Sequence, residues 1–319
     1  MGLTLLVLLA CDTAPEPGRN PHPPEPPCGA DNPFIDVDVG GDGICGVHAD
    51  GCLECWNQGE RCLPPPHGSF TDVDVSRRRE LSDTGVDCPV VCAERQDEAS
   101  VCWGDHIYDV DGDGSFGYEA GPIGLDELFA NLDSMCGLRG TELVCWWDFY
   151  GDVVRPLPAV SAVAMDGDEL ASLAVIYPDG SLESWWGGDY DAHETAEGPF
   201  ANVAMSENQL CAVTVQGRVS CWSMGLDNAH LDPLELPWSD QQWQDVCVTD
   251  YWGETTCARS ALGQVECHGE ATGDEDWVDP PALPLVSMSC GWNSVCGLTS
   301  EGELFCWGTG AAYSYPGWY

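Results

Sequence analysis

Ser294-Val295-Cys296-Gly297-Leu298-Thr299-Ser300-Glu301-Gly302-Glu303-Leu304-Phe305-Cys306-Trp307-Gly308 reads as one β-hairpin. Pairing Cys296 with Cys306 across the ladder leaves a three-residue turn whose last residue is Gly302, the left-handed position where glycine costs least. Six further segments repeat this pattern, at Cys45 to Trp56, Cys92 to Trp103, Cys136 to Trp146, Ala174 to Trp185, Cys211 to Trp222 and Cys257 to His268. Their first residues recur at intervals near forty, the scale of one propeller blade. Gly51, Gly180, Gly217 and Gly263 share the phase of Gly302, whereas the Cys136 copy is one residue shorter and leaves Gly140-Thr141 for a two-residue turn. A shorter strand precedes each hairpin, marked by two apolar residues three apart: Phe34 and Val37, Phe70 and Val73, Phe129 and Leu132, Val160 and Val163, Phe200 and Val203, Trp243 and Val246, Leu285 and Met288. Several continue in period-two alternation, as in Val37 to Val39, Val73 to Val75 and Val203 to Met205, the mark of a half-buried strand. No comparable segment carries a helical period. The expected fold is all-β, a seven-bladed β-propeller spanning residues 28–319, with an acidic loop inserted at 104–124.

The fourth repeat identifies the cysteine partners. There both cysteine positions are lost together, as Ala174 and Ser184. Bridge partners should vanish as a pair, because a lone thiol in an oxidising compartment is a liability. The expected bridges are Cys45 with Cys55, Cys92 with Cys102, Cys136 with Cys145, Cys211 with Cys221, Cys257 with Cys267, and Cys296 with Cys306. Cys28, Cys52, Cys62, Cys88, Cys247 and Cys290 remain, and the sequence leaves their pairing open. So many bridges require export from the cytoplasm.

The amino terminus agrees with export. Leu3 to Ala10 is an apolar run ending in Leu8-Leu9-Ala10-Cys11, which resembles the lipobox of bacterial lipoproteins, so Cys11 is the expected lipidation site and residues 1–10 the signal peptide. The run is short and no Lys or Arg precedes it. Ten residues cannot cross a bilayer as a helix. Asp12 to Pro27 follows with seven prolines, a tether able to extend about 50 Å at ~3.1 Å per residue. Together these place the protein on a bacterial cell envelope, facing periplasm or exterior, attached to membrane only through Cys11.

Charge narrows the partners. The chain carries 54 acidic residues and 10 basic ones, all arginine, for a formal charge of −44. That field repels phosphate backbones and anionic headgroups, which excludes nucleic-acid binding. It favours basic partners and divalent cations. Absence of lysine removes Schiff-base chemistry and any P-loop.

The repeated Cys-Gly-Leu, Gly-containing turn and Cys-Trp-Gly, clearest at residues 294–308, resemble the repeat of the regulator of chromosome condensation family. The resemblance runs over nearly all of residues 34–308. It departs at the interruption from Ser76 to Asp87, at the cysteine-free fourth copy and at His268 in place of tryptophan. It implies a seven-bladed propeller and, by analogy with secreted bacterial members, protein binding through the loops of one face. The family's namesake is a guanine-nucleotide exchange factor that sits on chromatin. The acidic charge, the export signal and the lack of a basic tail oppose that role here.

One segment suggests a metal. Asp109-Val110-Asp111-Gly112-Asp113-Gly114-Ser115 sets three carboxylates at alternate positions before a glycine, the arrangement that wraps oxygen ligands around Ca²⁺. Asp109, Asp111, Asp113 and the Ser115 carbonyl are the candidate ligands, with Glu119 as a last one. No flanking amphipathic helix makes this an EF-hand. The in-phase Trp56, Trp103, Trp146, Trp185, Trp222 and Trp307 are expected between blades. Trp147, Trp186, Trp252 and Trp292, with Trp238 and Trp277, fall outside the repeat and are candidate binding-surface residues. His22, His48, His67, His106, His193, His230 and His268 show no metal spacing, and no nucleophile elbow occurs. The expected function is therefore a monomeric protein- or glycan-binding scaffold rather than an enzyme. The alternative is a carbohydrate-active enzyme using the propeller mouth, which calls for clustered acids and flanking aromatics around an axial pocket.

Overall fold

A computed structural model of the chain describes residues 28–29, 32–40, 43–56, 64–76, 89–96, 99–108, 116–130, 134–148, 159–166, 172–185, 193–206, 208–224, 231–249, 255–269, 279–292 and 294–308. Seven antiparallel sheets of three or four strands follow one another along the chain, and within each the strands are neighbours in chain order. We number them blades 1 to 7. Their inner strands are Phe34–Gly40, Phe70–Val75, Glu127–Ala130, Ala162–Asp166, Phe200–Met205, Trp243–Val248 and Ser287–Cys290. Each inner strand contacts the next, and that of blade 7 contacts that of blade 1, which closes the ring. The molecule is a seven-bladed propeller.

The core is divided by the same symmetry. Seven apolar clusters each join two adjacent blades, from Cys45, Val47, Phe70 and Trp103 between blades 1 and 2 round to Val37, Ile44, Cys296 and Leu298 between blades 7 and 1. A single blade cannot bury its faces alone, so stability is shared around the ring. Trp103, Trp185 and Trp307 are buried in these seams, and Trp56 and Trp222 pack against them half-buried, as their phase predicts. Where blade 6 has His268, Trp238 fills the place, edge-on to His268 at 4.7 Å and to Trp243 at 5.6 Å. Trp238 is thus a half-buried residue of the seam between blades 5 and 6.

The six hairpin bridges form between residues directly opposite in the ladder, with Cα atoms 4.0 to 4.1 Å apart. This is the close, non-hydrogen-bonded kind of antiparallel pair. Ala174 lies opposite Ser184, in the place of the missing bridge. Two more bridges answer part of what the sequence left open. Cys28 joins Cys52 and ties the incoming chain to the blade 1 turn, while Cys247 joins Cys290 and ties the inner strand of blade 6 to that of blade 7. Cys11, Cys62 and Cys88 lie outside the described residues.

Two expectations change. In blade 3 the residue matching Val37 and Val73 is Leu128, paired with Gly137, and Leu125 is the opening apolar residue. Phe129 sits one place on, opposite Cys136, where it fills the seam to blade 4, and Leu132 lies outside the described residues. The segment 104–124 is also not an insertion between blades. Ala99–Tyr108 and Phe116–Ile123 pair as the third and fourth strands of blade 2, and the acidic residues 109–115 join their ends.

The hairpin turns latch each blade to its neighbour. The turn carbonyls of Gly51, Gly180, Gly217 and Gly263 accept the N–H of Phe70, Phe200, Trp243 and Leu285, and Gly302 accepts from Phe34 at 3.0 Å. The last of these closes the ring without any strand exchanged between blades among the described residues. Gly302 has φ +76°, and a Cβ there would lie 2.4 Å from Pro33 Cβ and 2.6 Å from the Phe34 carbonyl oxygen. Gly140, at φ +63°, would place its Cβ in open space. Both substitutions to alanine incur about 1–2 kcal/mol of left-handed strain. Gly302→Ala must also displace the blade 1 backbone, so thermal unfolding is expected to show it less stable than Gly140→Ala by at least ~1 kcal/mol. Equal melting points would mean that the Gly302 latch contributes nothing to closure.

Candidate functional site

The seven inner strands put equivalent residues around one axis. One register level holds Asp36, Asp72, Glu127, Ala162, Asn202, Asp245 and Ser287, and the level two residues on holds Asp38, Asp74, Phe129, Ala164, Ala204, Cys247 and Ser289. In blades 1, 2, 5 and 6 a bulge between the opening aromatic and the first level re-aims the strand as it enters the axis.

An inner strand has one edge with no partner strand, and its N–H groups need acceptors. Neighbouring side chains supply them by a regular rule. First-level side chains reach the next blade one residue on: Asp36 accepts from Val73 N–H at 2.9 Å, Asp72 from Leu128 at 3.2 Å and Asn202 from Val246 at 3.1 Å. Second-level side chains do the same: Asp38 accepts from Val75 at 2.7 Å and Ser289 Oγ from Val39 at 3.1 Å. Ser289 also donates to Asp38, so blades 7, 1 and 2 are linked by one polar chain.

These carboxyls crowd one another. Burial, then the charge of Asp72, pushes Asp36 up to about 8, and burial pushes Asp72 up to about 6. The Asp36 and Asp72 side chains interact directly, which raises Asp36 and lowers Asp72 and so favours a proton on Asp36 beside an ionised Asp72. Glu127 is exposed at the mouth of the axis and is raised as well, by the protein around it first and then by Asp245 and Asp36, residues of blades 6 and 1 acting across the axis. Asp245 is raised by burial and drawn back by Arg259, 3.4 Å away. Below this level lies a cavity of about 150 Å³ lined by Asp38, Asp74, Phe129, Ala164, Ala204 and Cys290. It is polar on the side of blades 1 and 2 and apolar on the other.

The residues singled out from sequence do not converge here. Asp109, Asp111, Asp113, Ser115, Trp186 and Trp252 lie outside the described residues. Glu119 is on the fourth strand of blade 2 opposite Cys102, and Trp147 is on the strand Glu142–Asp148 opposite Met135. Trp292 is half-buried at the far end of the blade 7 inner strand. Sequence reading missed the axial acids, although Asp36, Asp38, Asp72 and Asp74 alternate with the valines used to find the strands. Among the described residues Cys28, His48 and Glu54 gather closely enough for a metal, but the Cys28 sulfur is bonded to Cys52. His48 Nδ1 is 2.7 Å from the Asn32 carbonyl oxygen.

Comparison with known proteins places this geometry. The chain is similar in structure to the CRINKLY WD40 ectodomain of the Arabidopsis thaliana receptor kinase ACR4, at 17% identity over 89% of this chain and 98% of that one, with a TM-score of 0.59. It is also similar to human WBSCR16, at 13% identity over 85% and 88% of the two chains and a TM-score of 0.57. Yeast RCC1 (Prp20), in its complex with Kap60, aligns at 13% identity over 72% and 71% with a TM-score of 0.51. At these identities the likeness is one of fold. No curated protein matches the sequence. Residues 285–311 match the family model of the regulator of chromosome condensation (RCC1) repeat, and they comprise the hairpin and inner strand of blade 7. The chain therefore carries the regulator of chromosome condensation repeat, set in a seven-bladed, disulfide-stapled propeller.

Proposed function

We propose that this chain is an extracytoplasmic, lipid-anchored scaffold that binds a protein or glycan partner and catalyses no reaction. The eight described disulfides indicate an extracytoplasmic protein, and no helix among the described residues is long and apolar enough to cross a membrane. The observation that carries the scaffold reading is the use made of the axial acids. They cap the inner strand edges of adjacent blades, and the space beside them is about 150 Å³. Small-molecule sites usually offer ~300–1,000 Å³. The enzyme reading draws support from the Asp36–Asp72 pair, a carboxyl beside a carboxylate at the axis, but Phe129 is the single aromatic lining the cavity. An ectodomain among the structural neighbours fits a surface-exposed role. Capture of envelope proteins and glycans on the lipid-free domain from Cys28 onward tests the reading. A saturable partner is expected, and Cys11→Ala is expected to release the full chain from membranes. Turnover of a glycoside that Asp36→Asn abolishes would replace the scaffold with the enzyme.

The blade 2 tip adds a cation to this proposal. Asp109, Asp111, Asp113, the Ser115 carbonyl and Glu119 form a Ca²⁺ loop, and its stabilisation comes from binding to a folded hairpin. A ligand at a hundredfold excess over Kd adds about 2.7 kcal/mol. Thermal unfolding with Ca²⁺ is expected to exceed that with chelator by several degrees, and Asp111→Ala with Asp113→Ala to erase the difference. Calorimetry showing no saturable heat at millimolar Ca²⁺ would remove the metal.

A further inference from the structure

The Cys28–Cys52 bridge differs from the others in its exposure and in its surroundings. Both its cysteines are half-buried, whereas each of the other seven described bridges has at least one buried cysteine. It also stands outside the hairpin repeat, joining the entering chain to the blade 1 turn. Exposed bridges are the exchangeable ones, and access to attack governs the rate.

The repeat explains how His48 comes to lie beside it. In blades 5, 6 and 7 the residue three after the first hairpin cysteine is Thr214, Ser260 or Thr299, and its hydroxyl accepts the N–H of Arg218, Gln264 or Glu303, four residues on. In blade 1 that N–H belongs to Cys52, and Asp50 accepts it at 3.0 Å. The His48 ring is thereby free of the turn. It packs on Phe34, with ring centroids 4.0 Å apart, and donates from Nδ1 to the Asn32 carbonyl at 2.7 Å. His48 is only 4% exposed, and its Nε2 has no hydrogen-bond partner. Glu54 Oε2 lies 3.7 Å from Nε2. A His48 ring nitrogen, a Glu54 carboxylate oxygen and the Cys28 sulfur all lie within 4.8 Å of one another. The titratable groups facing the ring are therefore Glu54 from the hairpin and Cys28 from the entering chain.

We infer that Cys28–Cys52 is a thiol–disulfide exchange site, with His48 as charge partner of the departing Cys28 sulfur and a positively charged thiol as attacker. The attacking thiolate, its proton already lost to solvent, bonds to Cys52 Sγ. The S–S bond breaks, its electron pair leaves on Cys28, and imidazolium at His48 stabilises that thiolate as a neighbouring cation does in reactive cysteines. A second thiol releases Cys52, so two thiols are oxidised to one disulfide and the bridge is reduced to two thiols. Asp50 beside Cys52 and the overall charge of −44 repel anionic thiols and concentrate cationic ones. Opening the bridge leaves other ties in place, since Ala49 still donates to the Pro33 carbonyl and Phe34 to that of Gly302. The site is independent of the scaffold reading and requires no partner on the propeller.

The test treats the Cys11→Ala chain with thiol under native conditions and reads each bridge by alkylation and peptide mass spectrometry. Cationic cysteamine is compared with anionic 3-mercaptopropionate, each rate being divided by that thiol's rate on neutral hydroxyethyl disulfide. Cys28–Cys52 is expected to open at least tenfold faster than any other described bridge, and cysteamine to outpace 3-mercaptopropionate at least fivefold. Asp50→Asn keeps the acceptor for the Cys52 N–H and should reduce that preference at least twofold. In His48→Asn the amide can still donate to Asn32, while the second ring nitrogen is gone. Opening should slow at least fivefold, and alkylation of the reduced Cys28 should shift to higher pH, with the other bridges unaffected. If His48→Asn opens every bridge it no longer folds, and the wild type decides instead: reduced Cys28 should be alkylated at lower pH than reduced Cys52. Opening no faster than the hairpin bridges, or a wild-type rate and profile in folded His48→Asn, would leave an exposed structural bridge and overturn the exchange site. So would matching profiles for Cys28 and Cys52. Equal normalised rates for the two thiols would overturn the charge selection. The peptide acetyl-Arg-Cys-Arg-amide separates the sources. A mixed disulfide on Cys52 formed faster by it than by cysteamine assigns a protein cysteine flanked by basic residues, and the reverse assigns a small thiol.

Discussion

Refolded in the presence of reductant, the chain is expected to lack a cooperative unfolding transition at 37 °C. Closing a ten-residue loop contributes about 2.7 kcal/mol in the chain-entropy account, and the 43-residue separation of Cys247 and Cys290 about 4 kcal/mol. Even at half those values, the eight bridges match the ~5–15 kcal/mol that holds a typical domain folded. Reductant added to the native protein acts slowly, because Cys45, Cys92, Cys136, Cys257, Cys296 and Cys306 are wholly buried. Refolding, not simple addition, is therefore the decisive measurement, read by near-ultraviolet circular dichroism. Among single bridges, Cys247→Ser with Cys290→Ser should cost most, since it frees two blades from each other next to the closing seam. A reduced chain melting within about 5 °C of the oxidised one would show that the blade seams suffice. Peptide mapping of the oxidised form should return the eight bridges with Cys62 and Cys88 left to each other.

The elements found correctly in the sequence are those defined by local chemistry. A hairpin turn needs its left-handed glycine, and a bridge needs two cysteines opposite each other, so Gly302 and the Cys296–Cys306 pair disclose register without knowledge of the rest. Blade 3 defeated the same approach. Its inner strand is led by Leu125, and the conspicuous aromatic, Phe129, belongs to the second axial level, where no other blade has one. The apolar spacing was right and its phase was four residues late. Trp238 shows a second limit: only the seam between blades 5 and 6 reveals that it compensates for His268.

The axial acids were hidden for a different reason. In Asp36-Val37-Asp38 and Asp72-Val73-Asp74 the alternation is plain, but the polar phase of a strand ordinarily faces solvent. Seven strands closed into a ring give that phase a different destination. Its side chains become acceptors for the next blade's unpaired N–H groups, as Asp36 does for Val73 and Asn202 for Val246. Ring closure is a property of the whole chain, and no window of sequence displays it.

The raised axial carboxyls lead us to expect a protein more stable in mild acid than at neutral pH. Asp36 and Asp72 have folded values of about 8 and about 6, above those of free carboxyls, and Glu127 is raised in the same direction. A group whose proton is held more tightly in the folded state lends stability that is complete below its unfolded value and is lost as pH rises through its folded one. The loss therefore runs from about pH 4 to about pH 8, opposite in sign to the contributions of Asp179 and Glu266, whose lowered values favour the fold above pH 4. Discounted for solvent screening of half-exposed carboxyls, the Asp36–Asp72 pair is assigned on the order of 2–3 kcal/mol across that interval. The melting point at pH 5 is expected to exceed that at pH 8 by several degrees. Asp36→Asn isolates the cause. Asparagine already fills the equivalent place in blade 5, where Asn202 accepts the Val246 N–H, so the substitution keeps the latch and stands in for the protonated acid. Its amide can also donate to Asp72. Asp36→Asn should raise the melting point at pH 8, leave it nearly unchanged at pH 5 and flatten the slope between them. A variant destabilised equally at both pH values would show that Asp36 acts through its shape or its ionised form, and that no protonated Asp36 pairs with Asp72.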